Sequence, residues 1–245
     1  MQKLILVGLL TLTVACQNGT AALSSQSTQT TTAHTPTPPD TATIPVSSTP
    51  VSIPTPGPLY FTDEFGTDLS AWEFFQTGGE DSPAIGLEDD LLRLTLPSPN
   101  TWYYAIHNPH EYEDVFLSAK FTGTPAGSVG LICRYGKDGW YEFNLASDGT
   151  YSVLFAQWLA DGIARYTPIA GDSSEYLQPG NLSYEIGFTC RENFVLLHIN
   201  GKLFRKLDVA RYGLSAGRIG FTTASFDETP MTARIDWFKV SKPDQ

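Results

Sequence analysis

The middle third of the chain places aromatic and polar side chains at alternating positions along one segment. Side chains two positions apart in a strand share a face, so Trp140, Glu142 and Asn144 are predicted to point the same way. A tight turn just before Trp140 would set Arg134 beside them, and Trp158 follows in the next hairpin. Sugars stack their apolar faces on aromatic rings, while planar polar side chains bond their hydroxyls. The pattern therefore predicts an exposed ligand-binding patch formed by Arg134, Trp140, Glu142, Asn144 and Trp158.

The patch belongs to a wider group of rings in the same part of the chain. Its members are Trp102, Tyr103, Tyr104, Trp140, Tyr141, Trp158 and Tyr166. For any single ring, packing in the hydrophobic core is the simpler explanation. The alternative to a binding patch is therefore that several of these rings are core residues.

The carboxylates do not form a catalytic pattern. Glycoside hydrolysis needs two carboxylates that flank the scissile bond. The densest acidic run, Glu111–Tyr112–Glu113–Asp114, is predicted to be a solvated turn before a strand over 115–120. Glu142 is a lone carboxylate on its segment. The chain also lacks a glycine-rich phosphate loop, a nucleophile elbow and a His-Glu-x-x-His motif, so we assign no catalytic residue.

Two histidines, His107 and His110, flank Asn108–Pro109. The proline predicts a loop here. Two histidines three apart could hold a metal, but no cysteine or third histidine stands near them in the sequence. No transition-metal site is predicted from this pair.

The beginning of the chain has the pattern of an export signal. Lys3 is followed by an apolar run over 4–14 that is too short to span a bilayer, and then by Ala15 and Cys16. Val14, Ala15 and Cys16 resemble the lipobox of bacterial lipoproteins. The resemblance implies cleavage before Cys16, lipid on its sulfur, and a domain held outside the cytoplasm at the cell envelope. The alternative is ordinary secretion with cleavage near Ala15.

Composition divides the chain into a signal peptide (1–15), a Ser/Thr/Pro-rich tether (16–58), a domain (59–242) and a short tail (243–245). The tether has too few large apolar side chains to offset its ordering entropy, so it is predicted to be disordered. The net charge of −11 falls on the domain, because Lys3 and Asp40 cancel. An acidic domain repels phosphate backbones, so nucleic acid is excluded as a partner and the predicted membrane contact is the lipid anchor alone.

The domain alternates apolar and polar residues with period two. Leu92, Leu94 and Leu96 alternate with polar residues, and the segments 184–190 and 219–222 do the same. Turn dipeptides between such segments are typical of tight hairpins; they are Asp138–Gly139, Asp148–Gly149 and Asn200–Gly201. The pattern predicts an all-β fold, an antiparallel β-sandwich.

Several segments in order resemble the concanavalin A-like (laminin-G-like) jelly rolls, close to the 3-keto-disaccharide hydrolase-type domains. They are 60–65 followed by Trp72, 130–135, 140–143, 196–201, 217–221 and 234–240. The resemblance implies a jelly-roll fold that hosts lectins, glycosidases and plain spacers. In the family-sixteen glucanases of this fold the catalytic carboxylates follow a Glu-x-Asp-x-x-Glu pattern on one strand, and the run 111–114 departs from it.

Two further features concern stability. With Cys16 lipidated, Cys133 and Cys190 remain, both in predicted strands, and an oxidising compartment favours a disulfide between them. The alternative is two separate buried thiols. The jelly-roll resemblance also implies a structural calcium that uses an acid of the last strand and oxygens near the first, here Asp236 and Asp63. No other cofactor is predicted.

Three functions remain open from the sequence. The leading hypothesis is a surface-tethered, non-catalytic β-sandwich module that binds glycan through the predicted patch. The second is a glycoside or keto-disaccharide hydrolase of the same fold. The third is a spacer or protein-interaction module.

Overall fold

The computed structural model describes residues 57–66, 68–160 and 162–244, and these residues form fifteen strands and one 3-10 turn, Ala210–Tyr212. The strands are β1 (Phe61–Asp63), β2 (Trp72–Gly78), β3 (Ala84–Glu88), β4 (Leu91–Leu96), β5 (Thr101–Tyr112), β6 (Val115–Gly123), β7 (Gly127–Gly136), β8 (Gly139–Ala146), β9 (Thr150–Ala160), β10 (Ile163–Ser173), β11 (Tyr184–Arg191), β12 (Phe194–Ile199), β13 (Lys202–Asp208), β14 (Gly217–Ser225) and β15 (Met231–Ser241).

The strands form two antiparallel sheets. The eight-stranded sheet has the order β13-β12-β11-β6-β15-β4-β3, with β1 paired to β15. The seven-stranded sheet has the order β10-β9-β8-β7-β14-β5-β2. Hydrogen-bonded neighbours that are distant in sequence, such as β7 with β14 and β6 with β15, give the sandwich its jelly-roll character. The predicted all-β sandwich is confirmed.

The predicted alternation of burial holds in β4 but not in the segments 184–190 and 219–222, where the polar positions Thr189 and Thr222 are buried as well. In β4 the side chains of Leu92, Leu94 and Leu96 are buried and their neighbours are partly exposed. Asn200 and Gly201 both have positive φ, 50° and 74°, at the turn between β12 and β13. An asparagine followed by a glycine adopts this left-handed geometry at little cost, which is why the pair predicts a two-residue hairpin.

The core lies between the two sheets and contains the disulfide. Phe221 of the seven-stranded sheet and Phe238 of the eight-stranded sheet meet there with Trp72. Cys133 of β7 and Cys190 of β11 are fully buried and form a disulfide across the sandwich, with their Cα atoms 6.6 Å apart. The predicted pairing is therefore confirmed, and it links the two sheets covalently.

Some sequence predictions concern parts of the chain outside the described residues. The signal peptide, Cys16 and most of the tether fall there, and they stay predictions. Across residues 57–66, 68–160 and 162–244, the structure contains no helix with the length and hydropathy of a membrane span.

Candidate ligand-binding site

The outer face of the seven-stranded sheet, which points away from the core, carries the residues predicted to bind ligand on β8. Trp140, Glu142 and Asn144 share this face, as their spacing predicts. The indole Nε1 of Trp140 donates to Glu142 Oε1 at 2.6 Å. The amide Nδ2 of Asn144 donates to Glu142 Oε2 at 3.1 Å. The period-two argument therefore identified a real cluster on one face.

The predicted exposure of this cluster is wrong. Trp140 is 0% exposed, Glu142 1% and Asn144 9%. Other rings close over Trp140: its ring centroid lies 4.7 Å from that of Trp158 and 5.3 Å from that of Tyr135. Trp140 is thus part of a second hydrophobic cluster, on the opposite side of the sheet from the main core. The sequence alternative, that some of these rings are core residues, holds for Trp140.

Arg134 does not join the cluster, which corrects a second prediction. Arg134 adopts φ 55° in a β-bulge of β7, where the pairing with β8 shifts between Cys133 and Gly136. A bulge adds one residue to one strand and reverses the alternation beyond it. Tyr135 therefore takes the place on the outer face that strict alternation assigns to Arg134.

Arg134 instead ties together the loops at one end of the sandwich. Its buried guanidinium donates to the backbone carbonyls of Leu214 at 2.6 Å, Glu192 at 2.8 Å and Glu113 at 3.1 Å. Burial lowers the pKa of the Arg134 side chain from its usual value. These three hydrogen bonds hold the loops together next to Cys133 and its disulfide. We call this arrangement the Arg134 clamp.

Rings from both flanks of the sheet meet over the cluster. Tyr104 of β5 and Tyr166 of β10 share a hydrogen bond between their hydroxyls at 2.6 Å. Phe75 of β2 stacks on Tyr104 at 4.7 Å and approaches Trp158 of β9 at 6.1 Å. We call these four residues, with Trp140 beneath them, the aromatic bridge.

The aromatic bridge requires a strongly curved sheet. Four strands separate β5 from β10 in the sheet order, so their axes would lie roughly 24 Å apart in a flat sheet. Two tyrosine side chains cannot span that distance. Contact between Tyr104 and Tyr166 therefore means that the seven-stranded sheet curls around its outer face and makes it concave.

Glu142 lies at the bottom of this concave face, and within 57–66, 68–160 and 162–244 no cationic side chain forms an ion pair with it. Burial raises the pKa of its carboxyl above the usual value, and this effect is larger than the opposing effect of the donors on Trp140, Asn144 and Tyr104. Burial likewise raises the pKa of Tyr166 to about 12. In the described residues Asn144 Oδ1 is also buried without a hydrogen-bond partner. The floor under the bridge is thus a buried polar cluster around a carboxyl group whose charged form is disfavoured by burial.

An open cavity lies beside the aromatic bridge. It has a volume of about 450 Å³ and is lined by Lys137, Trp158, Leu159, Ala160 and Gly162. Trp158 is half-buried and packs on Trp140, so its ring is held in place at the cavity wall. Leu159 and Ile163 beside it are 59% and 58% exposed. Of the five predicted site residues, Trp158 alone lines this cavity.

The sequence missed three residues that shape the site. Tyr135 was missed because a bulge is not visible in an alternating pattern. The sequence predicts Lys137 only as part of the turn before β8, but this residue also lines the cavity. Phe75 stands next to Phe74, and the sequence signal that could have identified it is the period-two spacing from Trp72, which places Phe75 on the face opposite Trp72.

Trp102 occupies a different part of the same outer face. It follows the alternation of β5 and is 40% exposed. Its partners in the adjacent strands are Ala224 and Thr77, two residues further along the ladder than the partners of Tyr104. Tyr103 and Tyr141, by contrast, point into the main core.

The acidic run is a solvated turn only in its second half. Glu113 and Asp114 are exposed at the turn between β5 and β6, but Glu111 and the buried Tyr112 still belong to β5. His107 and His110 also lie on β5, which continues through Pro109, so the predicted loop is wrong. The segment 108–111 has no paired partner in β14, because the register shifts there, so the missing N–H of the proline breaks no ladder bond.

The two histidines also have separate environments. His107 packs between Phe61, at 4.5 Å, and Trp72, at 5.2 Å, and burial lowers its pKa to about 4. His110 Nε2 lies 2.7 Å from the Gly57 carbonyl oxygen. Among the described residues, no cluster of three His, Cys, Asp or Glu side chains has the arrangement of a metal site.

Asp63 and Asp236, the residues predicted to bind calcium, lie in different surroundings. Asp63 accepts a hydrogen bond on each oxygen, from the Phe65 N–H at 2.8 Å and from Trp72 Nε1 at 2.8 Å. Asp236 is half-buried in β15, at a shift of register. Asp63 thus fits the role of an internal hydrogen-bond acceptor better than that of a calcium ligand. A structural calcium at Asp63 and Asp236 stays a prediction.

Comparison with known proteins identifies the fold and not a family. No protein-family model matches the chain, and no curated protein matches it in sequence. Solved structures do match it. One is a Bacillus subtilis protein of unknown function with a galectin-like fold, with a TM-score of 0.57 and 14% identity over 74% of this chain and 94% of that chain.

Two further structures have the same architecture. One is a glycoside hydrolase family 16 endo-glucanase from Bacteroides ovatus, with a TM-score of 0.54 and 12% identity over 74% of this chain and 99% of that chain. The other is the Emp46p carbohydrate recognition domain, with a TM-score of 0.52 and 14% identity over 75% and 96%. At such identities the likeness concerns the fold alone. The described domain of this chain is a concanavalin A-like jelly-roll β-sandwich.

Proposed function

We propose that the domain is a glycan-binding module whose ligand occupies the cavity beside Trp158. The observation that carries this proposal is a fixed indole at the wall of an open cavity of about 450 Å³. Trp140 packs against Trp158 with centroids 4.7 Å apart, so little conformational entropy is lost when a ligand contacts the ring. A rigid, partly exposed ring offers a large apolar surface for the C–H face of a sugar.

The other groups at the cavity suit the same ligand. Lys137 supplies an ammonium group with three hydrogen-bond donors for sugar hydroxyls. Leu159 and the nearby Ile163 add exposed apolar surface next to the ring. Small-ligand sites commonly combine a mostly apolar wall with a few polar groups that fix orientation. The fold adds support, because similar structures include a carbohydrate recognition domain.

A hydrolase is a weaker second candidate. The buried carboxyl of Glu142, with its raised pKa, is the feature that favours it, because a general acid needs such a pKa. Retaining and inverting glycosidases both require a second carboxyl group, at about 5–10 Å from the first. In the described part of the chain, the groups that donate hydrogen bonds to Glu142 belong to Trp140, Asn144 and Tyr104, and no carboxylate is among the groups that shift its pKa. Binding without hydrolysis is therefore the proposal.

The attachment of the domain is a separate proposal. We infer from the sequence that Cys16 carries lipid and that the Ser/Thr/Pro-rich tether holds the domain away from the membrane. The tether could then present the module to glycans at some distance from the cell envelope.

The glycan proposal is tested with the soluble chain from residue 17 onward, oxidised and without lipid. A glycan-array screen should identify retained glycans, and titration calorimetry should then compare Trp158→Ala with the unchanged protein. Trp158→Ala is expected to weaken binding by about fivefold or more, equivalent to roughly 1 kcal/mol.

The matched control is Trp102→Ala, which removes an exposed tryptophan of the same outer face that does not line the cavity. This variant should bind as the unchanged protein does. Circular dichroism and thermal unfolding establish that both variants are folded. Retention of no glycan, or equal loss of binding in both variants, would contradict the proposal and favour a spacer or protein-interaction module.

A further inference from the structure

The aromatic bridge divides the concave outer face. Tyr104 and Tyr166 join opposite flanks of the sheet through a 2.6 Å hydrogen bond, and Phe75 approaches Trp158 at 6.1 Å. Beneath them, Trp140 is 0% exposed. A sugar ring cannot pass through side chains that are in contact. The middle of this face is therefore closed to a chain of sugars lying along it.

Two tryptophans of this face reach solvent on either side of the contact between Tyr104 and Tyr166: the half-buried Trp158 of the bridge and the exposed Trp102. Trp158 lines the cavity on one side, and Trp102 lies in the ladder row beyond Tyr104 on the other. A polysaccharide bound through its interior would run along the face and contact both tryptophans. With the bridge in place, one ligand chain cannot reach both of them.

The cavity beside Trp158 is also limited in size. Its volume of about 450 Å³ falls in the lower half of the range for small-ligand sites, about 300–1,000 Å³. A site of this size, bounded on one side by Trp158 of the aromatic bridge, admits one or two sugar residues. The remainder of a longer chain would have to leave the cavity on the open side, toward solvent.

We propose that the domain recognises the end of a glycan chain, one or two terminal sugar residues, and not the interior of a polysaccharide. This inference rests on the proposed glycan-binding function and adds the class of ligand. It follows from the contact between Tyr104 and Tyr166, which closes the path that an interior segment would need.

The test measures binding as a function of chain length. The probes are oligosaccharides of glucose, galactose, mannose and fructose, with one to six units each, and the matching polysaccharides. For the sugar that binds, the dissociation constant per chain end should stay constant within about twofold from two units upward. Chemical blocking of the terminal residue should weaken binding by about tenfold or more. A dissociation constant that falls steadily with length, or binding that survives blocked ends, would overturn the inference.

The same two tryptophans provide a second readout. Trp158→Ala should weaken the binding of every chain length, and Trp102→Ala should weaken none. If Trp102→Ala weakens the binding of long chains but not of short ones, the ligand crosses the whole face and terminal recognition is wrong. That outcome would leave glycan binding itself intact. Absence of binding to all probes would instead refute the proposed function.

Discussion

Glu142→Gln is expected to stabilise the domain at neutral and alkaline pH. The buried carboxyl has no cationic partner in the part of the chain that the structure describes, and burial raises its pKa above the usual 4.5. The replacement is neutral and nearly isosteric. The Gln side-chain oxygen can still accept the hydrogen bond from Trp140 Nε1. The new N–H group can donate to Asn144 Oδ1 once the Asn144 amide has rotated by about 180°. Among the described residues, Asn144 Oδ1 lacks a partner; the rotation brings it into a hydrogen bond that replaces the one Asn144 Nδ2 donates to Glu142 Oε2, so the number of hydrogen bonds is unchanged while the charge is removed.

The sign of the effect follows from proton linkage. Because the folded state holds the proton more tightly than the unfolded state, Glu142 contributes stability that is present below pH 4.5 and is lost as the pH rises toward the folded pKa. One group binds one proton, so the loss amounts to at most about 1.4 kcal/mol per pH unit within that window. For a domain of this size, this corresponds to about 4 °C in Tm per pH unit. The Gln variant lacks this loss.

A second buried group has the opposite effect in the unchanged protein. Burial lowers the pKa of His107 to about 4, so its contribution is present above the unfolded value of 6.5 and is lost as the pH falls toward 4. Between pH 4.5 and 6.5 the two slopes oppose each other. His107 contributes equally to both proteins, so the difference in unfolding free energy between the Gln variant and the unchanged protein contains only the effect of Glu142.

The measurement is urea denaturation followed by circular dichroism from pH 4 to pH 9. The difference in unfolding free energy between Glu142→Gln and the unchanged protein should be near its minimum at pH 4 and should rise with pH. Glu228→Gln, at an exposed position, is the matched control and should give a flat difference. A difference that is flat for Glu142→Gln, or that falls with pH, would refute the assignment of a buried, uncompensated carboxyl.

Four further outcomes are expected. Trp140→Ala should lower the unfolding free energy by about 4 kcal/mol in urea denaturation, because it empties the space of a fully buried ring; a loss below about 1 kcal/mol would mean that the ring is not core. Replacement of Cys133 and Cys190 by serine should cost about 4 kcal/mol, since the loop between them is no longer closed, and two freely alkylated thiols in the native protein would contradict the disulfide. Arg134→Met should cost about 3 kcal/mol, because it leaves three backbone carbonyls without their donor, and an unchanged denaturation midpoint would argue against the clamp. Cys16→Ser should move the protein out of the detergent phase on partitioning, and unchanged partitioning would refute lipidation.

The elements of the fold follow from local patterns in the sequence. Alternation of Leu92, Leu94 and Leu96 predicts a strand with one buried face, and the turn at Asn200–Gly201 predicts a hairpin, because both signals depend on residues that are neighbours in the chain. The pairing of Cys133 with Cys190 could also be predicted, since only two cysteines remain after Cys16.

The site depends on relations that no local pattern contains. One extra residue in β7 sends Arg134 to the end of the sandwich and puts Tyr135 on the outer face, and such a bulge is set by the pairing with β8 and β14. The contact of Tyr104 with Tyr166, which helps to bury Trp140, requires the curvature of seven strands packed together. The sequence by itself determined which side chains share a face. Tertiary packing alone decided which of them meet solvent, because exposure depends on strands that are distant in the chain.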